Sequence, residues 1–192
     1  MTDRSAGEND RFEALYEEHY PAILRYAARR VGAEAARDIT AETFTIAWRR
    51  LGQVPAGQPL PWLYATARNC LANELRRQQR GERLDSRMRT EATRGPAVAS
   101  PEPAEQVADR LTVLAALATL RPKDQEALRL IEWEHLDIAA AAMVMGCSAG
   151  TFRVWLHRAR RRLARALDQA SASTSNPAGA SPCLPARTEI RP

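Results

Sequence analysis

The stretch from Leu136 to Leu167, LDIAAAAMVMGCSAGTFRVWLHRARRRLARAL, constrains this chain more than any other. A short apolar run breaks at Gly146-Cys147-Ser148 and is followed by a segment loaded with arginine. In that second segment Phe152, Leu156, Ala159, Leu163 and the Ala166/Leu167 pair recur at steps of three and four. This spacing lines one face of an α-helix against a core. The opposite side carries Arg153, His157, Arg158, Arg160, Arg161, Arg162 and Arg165, with Asp168 the single acid beside them. A helix, a glycine turn and a basic amphipathic helix make a helix-turn-helix, whose second helix fits the DNA major groove. A merely solvated bundle face mixes its charge signs; this one does not.

The composition agrees with a helical protein. Hydrophobic residues make up 45% of 192, and glycine and aromatics are few, which predicts an all-α fold of one domain or two small ones. The net charge of +5 is unevenly spread: the segments Arg68–Arg89 and Thr151–Asp168 are both rich in arginine. Two basic segments so far apart predict two contacts with a polyanion. Lys123 is the only lysine, a skew that codon bias in a GC-rich genome mostly accounts for.

Eighteen consecutive apolar residues occur nowhere, and the first residues are polar, so neither a membrane span nor a secretory leader is expected; the cytoplasm is the expected location. Cys70, Cys147 and Cys183 are too scattered for a zinc site, and Cys70 and Cys147 read as small core residues. With no phosphate-binding glycine loop and no nucleophile–base pairing, the sequence predicts no enzyme, no metal and no cofactor.

Residues 1–9 read as a disordered lead. A first helix follows from Asp10 to about Gly32, with Pro21 expected to kink or break it. A second runs from Ala33 to Leu51, with Ile39, Thr43/Phe44, Ala47/Trp48 and Leu51 on one face. Residues 52–59, GQVPAGQP, form a loop. A third helix begins near Leu60 or Pro61 and buries Leu63, Ala67, Cys70/Leu71 and Leu75. Residues 81–104 lose periodicity and read as a flexible linker. Two further helices precede the helix-turn-helix: one with Leu111, Leu114, Ala118 and Leu120 inward, stopped at Arg121-Pro122, the other with Ala127, Leu128 and Ile131 inward. Residues 169–192 read as a disordered tail.

This order and its motifs resemble the sigma factors of bacterial RNA polymerase, in particular the small extracytoplasmic-function (group 4) members of the sigma-70 family. The segments FEALYEEHYPAILRYAARRVG, DITAETFTIAWRRL and PWLYATARNCLANELRRQQR resemble the family's region 2. TLRPKDQEALRL and GCSAGTFRVWLHRARRRL resemble its region 4. The resemblance covers about residues 10–80 and 105–168. It implies a region 2 helical bundle and a region 4 helix-turn-helix joined by the linker.

The resemblance also implies roles. Asp38, Glu42, Thr43 and Arg49 would dock on the clamp coiled coil of core RNA polymerase, with Ala41 standing where the family commonly has glutamine; region 4 would meet the polymerase flap. The loop Gly52–Leu60, with Gln58, would capture a base flipped from the −10 element. Trp62, Arg68, Asn69, Asn73, Arg76, Arg77 and Arg80 would hold the adjoining DNA, Trp62 having a competing place in the core. In region 4, Ser148 caps the recognition helix. Thr151, Arg153, Val154, His157 and Arg158 would face bases or nearby backbone of the −35 element, and Arg161 and Arg162 phosphates. Val154-Trp155 replaces the commoner Ser-Arg; Trp155 either joins the apolar stripe or leaves Val154 to meet a thymine methyl. His19 and His135 read as surface or cap residues. The partners implied are core RNA polymerase, promoter DNA and the anti-sigma factor that such proteins commonly have. The alternative is a stand-alone helix-turn-helix regulator, which leaves the first domain without a task.

Overall fold

A computed structural model describes residues 3–85 and 104–174 of the chain, and among them it contains helices and no strand. The N-terminal unit is α1 (Asp3–Val31), α2 (Ala33–Arg49) and α3 (Pro59–Asp85), with a single 3-10 turn at Leu51–Gln53. The C-terminal unit is α4 (Ala104–Ala118), α5 (Pro122–Glu132), α6 (Ile138–Met145) and α7 (Ala149–Thr174).

Ile23, Tyr26, Ala27, Ile39, Phe44, Ala47, Leu63 and Ala67 are buried together, the inward stripes of three helices that cannot hide their apolar faces alone. Gly32, at φ +85, lets the chain leave α1 and enter α2 within one residue. Pro21 lies inside α1, yet the helix is continuous and the expected break does not occur. A proline there costs the helix about 3 kcal/mol, and the fully buried Ile23, Tyr26 and Ala27 just beyond it offset that loss. The polar residues before Asp10 also join α1, since a nucleated helix extends at one hydrogen bond per residue. α3 continues past Arg80 to Asp85, and α7 past Asp168 to Thr174.

Three inward assignments differ from the periodicity. Leu75 is exposed, because α3 has passed the end of its partners by that turn. Trp48 is 45% exposed, its ring packed edge-on against Phe12 at 5.0 Å. In α4, Leu111 is 56% exposed and Ala118 exposed, while Ala116, Leu117 and Leu120 are buried. The stripe is set where the last turn packs, at Ala116, Leu117 and Leu120. Cys70 is buried and Cys147 half-buried; Cys183 lies outside the described residues.

Candidate nucleic-acid interface

The helix-turn-helix is built by two local devices. Asp137 caps α6, its Oδ1 accepting from the Ala140 N–H at 2.7 Å. Gly146, at φ +65, ends α6 in the left-handed conformation, and the N–H of Cys147 returns to the Ala142 carbonyl at 3.0 Å. Ser148 then caps α7: its Oγ accepts from the Thr151 N–H at 3.1 Å and lies 2.9 Å from the Thr151 hydroxyl. The chain bends by 94° between α6 and α7, near the crossing of a helix-turn-helix.

Phe152, Leu156 and Ala159 are buried against the unit. At 100° per residue, Arg153, Val154, His157, Arg158 and Arg161 occupy the opposite arc, and all five are exposed. Thr151 is exposed but tied to the cap. Arg162 departs from its expected phosphate role. Its Nη1 donates to Asp124 Oδ2 at 2.6 Å, and the Asp124 side chain is 8% exposed, so Arg162 fastens α7 to the start of α5. Arg160 is engaged similarly with Glu132 at 2.9 Å. Trp155 is half-buried with the Lys123 ammonium 2.8 Å from its ring centroid, which settles it on the packed side rather than the groove side.

The N-terminal unit divides its residues less cleanly. Gln58, Asn69, Asn73, Arg76 and Arg77 are exposed; Trp62 and Arg68 are half-buried, Trp62 packing against the core. The basic cluster at the far end of α3 is not free of acid, because Glu74 accepts from Arg77 at 3.3 Å. Asn73 Oδ1 accepts from Arg76 at 2.7 Å. Arg80 lies on α3, its side chain outside the described set. On α2, Asp38, Glu42 and Arg49 are exposed, but Thr43 is fully buried and spends its hydroxyl on the Ile39 carbonyl at 2.7 Å. Thr43 therefore cannot touch a partner. The inward stripe that contained it decided the matter.

One feature escaped the sequence reading. A cavity of about 280 Å³ lies between α1 and the loop after α2, with Arg11, Glu18, His19, Val54 and Pro55 in its wall. Arg11 Nη2 donates to the Val54 carbonyl at 2.7 Å and holds the loop in place. His19, expected at the surface, is 8% exposed; its Nε2 makes no hydrogen bond and lies 3.8 Å from a Glu18 oxygen. Isolated histidines carry no pattern that marks them as buried.

The two units also meet. The Tyr26 hydroxyl donates to Glu126 Oε1 at 2.8 Å. Arg30 donates Nε and Nη2 to the two Glu126 oxygens, at 3.0 and 3.1 Å, and Nη1 to Glu134 at 3.1 Å. Arg29 reaches Glu134 at 3.3 Å and the Trp133 carbonyl at 3.2 Å. Burial, then Glu126, raises the Tyr26 phenol well above its ordinary pKa. Burial, then Glu134, pushes Tyr64 up to about 12. Burial, then Arg30, lowers the Arg129 guanidinium from its ordinary value. Beside this network α6 rests on α3.

Comparison with known proteins places both units. The family described as Sigma-70 region 2 matches residues 15–81, and Sigma-70, region 4 matches residues 110–163. The extracytoplasmic-function (ECF) RNA polymerase sigma factor SigL of Mycobacterium tuberculosis is 30% identical over 173 residues, covering 88% of this chain and 96% of that one. RNA polymerase sigma factor CarQ of Myxococcus xanthus is 32% identical, covering 85% and 92%. ECF sigma factor BldN of Streptomyces coelicolor is 36% identical over 84% of this chain, which spans 62% of that relative's length. Among solved structures, the sigma factor RpoE in complex with the anti-sigma factor NepR, from Bartonella quintana, shares the fold at a TM-score of 0.62 and 24% identity, covering 82% of this chain and 96% of that one.

Proposed function

The chain belongs to the sigma-70 family, among its extracytoplasmic-function RNA polymerase sigma factors, and from that premise we propose how its surfaces divide the work. It is a regulatory subunit that binds core RNA polymerase in the cytoplasm and directs it to particular promoters. α7 enters the major groove of the −35 element. Arg153, Val154, His157 and Arg158 face the bases and nearby backbone, Arg161 meets phosphate, and Ser148 with Thr151 fixes the start of the helix. Arg162 is withdrawn from that set by Asp124.

The loop 52–59 with Gln58 takes a base of the −10 element. Trp62, Arg68, Asn69, Asn73, Arg76, Arg77 and Arg80 line the path of the adjoining DNA. The cavity behind the loop supports that reading, since Arg11, Glu18 and His19 place both donors and acceptors in its wall. Asp38, Glu42 and Arg49 form the polar rim that meets the clamp, and region 4 meets the flap. An anti-sigma partner fits the same two surfaces. No single helix among the described residues is long and apolar enough to cross a membrane.

The observation that carries this reading is the exposed cationic arc of α7, held opposite a buried apolar stripe by caps at both sides of a 94° turn. Run-off transcription with core enzyme over a promoter library tests it. Selective, chain-dependent initiation is expected. DNA binding without any association with core at micromolar concentration would sink it in favour of a stand-alone regulator.

A further inference from the structure

Among the described residues, two buried side-chain nitrogens have no hydrogen-bond partner, Arg129 Nε and His19 Nε2. Arg129 donates through Nη2 to Gln125 at 3.0 Å, so its guanidinium is held. His19 is different. Its side chain is 10% exposed, and it stands in the wall of the cavity between α1 and the loop after α2. A buried polar atom without a partner costs the fold free energy. Where that atom faces a cavity, a ligand that bonds to it offsets the cost.

The cavity has stiff walls. Pro55 and Pro59 each fix one backbone angle on the loop side, and the Val54 N–H donates to the Leu51 carbonyl at 3.2 Å. Arg11 clasps the Val54 carbonyl at 2.7 Å. On the α1 side Glu18 and His19 present their polar atoms together, Oε1 lying 3.8 Å from Nε2. A carboxylate only accepts hydrogen bonds, and an imidazole beside it, with its proton on Nε2, donates. The wall therefore offers an acceptor next to a donor.

That order selects a base by its edge. Cytosine and adenine carry an amino group beside a ring-nitrogen acceptor, whereas thymine and guanine carry a carbonyl beside a ring N–H. An amino group donates to Glu18 while the neighbouring ring nitrogen accepts from His19. A keto base sets its carbonyl oxygen against the carboxylate, and two acceptors face to face repel. We propose that Glu18 and His19 of α1 are the specificity-determining pair of the base pocket, and that they select cytosine or adenine at the captured −10 position. The inference rests on the reading that the loop 52–59 takes a flipped base, and it adds a reader on α1, an element outside that loop. The paired hydrogen bonds favour an amino base over a keto base by about ten-fold.

The test uses the full chain with core enzyme on templates premelted across the −10 element, so that unpairing costs the same for every base. The captured position is the one whose base preference shifts when residues 52–59 are exchanged for another family member's loop. There the unsubstituted chain should initiate at about a ten-fold lower template concentration with cytosine or adenine than with thymine or guanine. Replacing adenine by purine, or cytosine by 2-pyrimidinone, deletes the amino group alone and should forfeit that advantage. Glu18→Ala, at a side chain 75% exposed, keeps the fold and should make purine and adenine equivalent. His19→Leu should reduce the preference for both amino bases, and His19→Gln, which restores a donor, should recover part of it. Circular dichroism checks the helix content of each variant, and Glu18→Ala decides the matter if His19→Leu loses helix. A keto preference at that position, or an amino-group effect undiminished in Glu18→Ala, overturns the inference and leaves base capture by the loop standing. If no −10 preference follows the loop exchange, base capture itself falls, and the inference with it.

Discussion

Arg30 of α1 and Glu126 of α5, ninety-six positions apart, form a two-pronged ion pair, Nε to Oε2 at 3.0 Å and Nη2 to Oε1 at 3.1 Å. Its geometry matches the planar guanidinium to the planar carboxylate. Removing either partner leaves the other's charge buried, so the two losses overlap. Arg30→Ala and Glu126→Ala should each destabilise the chain, and a double-mutant cycle by urea denaturation should give a coupling of roughly 1–3 kcal/mol. Additive single costs would show that the pair does not form in solution.

Arginines on α7 separate into two kinds. Arg153 is exposed on the arc opposite Phe152, so Arg153→Ala should weaken binding to a −35 duplex by about 1–3 kcal/mol, with thermal stability unchanged. Arg161→Ala should lower the slope of log affinity against log salt by about 1, equally for all sequences. Arg162→Ala should do the reverse: an unaltered salt slope, and a loss of stability of about 1–2 kcal/mol. That figure is below the cost for a fully buried pair because Arg162 is 43% exposed while Asp124 is not. If Arg162→Ala flattens the salt slope and leaves melting alone, the assignment to packing is wrong.

The distinction between these arginines shows what the sequence could and could not carry. The period of Phe152, Leu156 and Ala159 identified the exposed arc of α7, because helical geometry alone turns spacing into direction. It could not identify Asp124 as the partner of Arg162, thirty-eight residues away, since no period links separate helices. The same limit applies to Thr43 and Trp48. Spacing put both on one inward face of α2, but only Thr43 is fully buried, because the position of α1 decides how wide that face is. Leu111 read as core since a leucine at the right step looks the same whether or not a neighbour arrives. The contact of Arg30 with Glu126 and the wall of the cavity around His19 both lie between elements and were invisible for that reason.

Gly146 holds the turn of the helix-turn-helix at φ +65, and a Cβ placed there meets nothing within 4 Å. The cost of Gly146→Ala is therefore backbone strain alone, about 1–2 kcal/mol. Gly146→Asn should cost less, because asparagine tolerates the left-handed region. Thermal denaturation of the three proteins should rank them glycine, asparagine, alanine. An alanine variant as stable as the parent would mean the turn relaxes to another conformation, and −35 binding would then report where α7 has moved.

Tyr64 has its phenol pushed up to about 12 by burial and then by Glu134. The folded protein keeps this proton at pH values where the unfolded chain, with an ordinary value near 10.0, has lost it. Stability from this group is full below pH 10 and falls as pH rises from 10 toward 12. Tyr64→Phe should make the alkaline loss of helix shallower over that window, with the Tyr26 contribution remaining. Identical alkaline profiles for parent and variant would assign the decline to other groups.

Arg11 ties α1 to the loop after α2 through the Val54 carbonyl at 2.7 Å, and that loop closes one side of the cavity. A base captured there is discriminated only as far as the loop is held in one conformation, since a mobile wall adapts to any base. Arg11→Ala removes the tie without touching the exposed α7 arc. It should lower the preference for the favoured base at the captured −10 position several-fold in single-position promoter substitutions, while −35 preference and core binding stay as they were. Exchanging residues 52–59 for the loop of another family member should change which base is favoured. If −10 preference survives both changes, the determinant lies on α3, at Asn69 or Asn73.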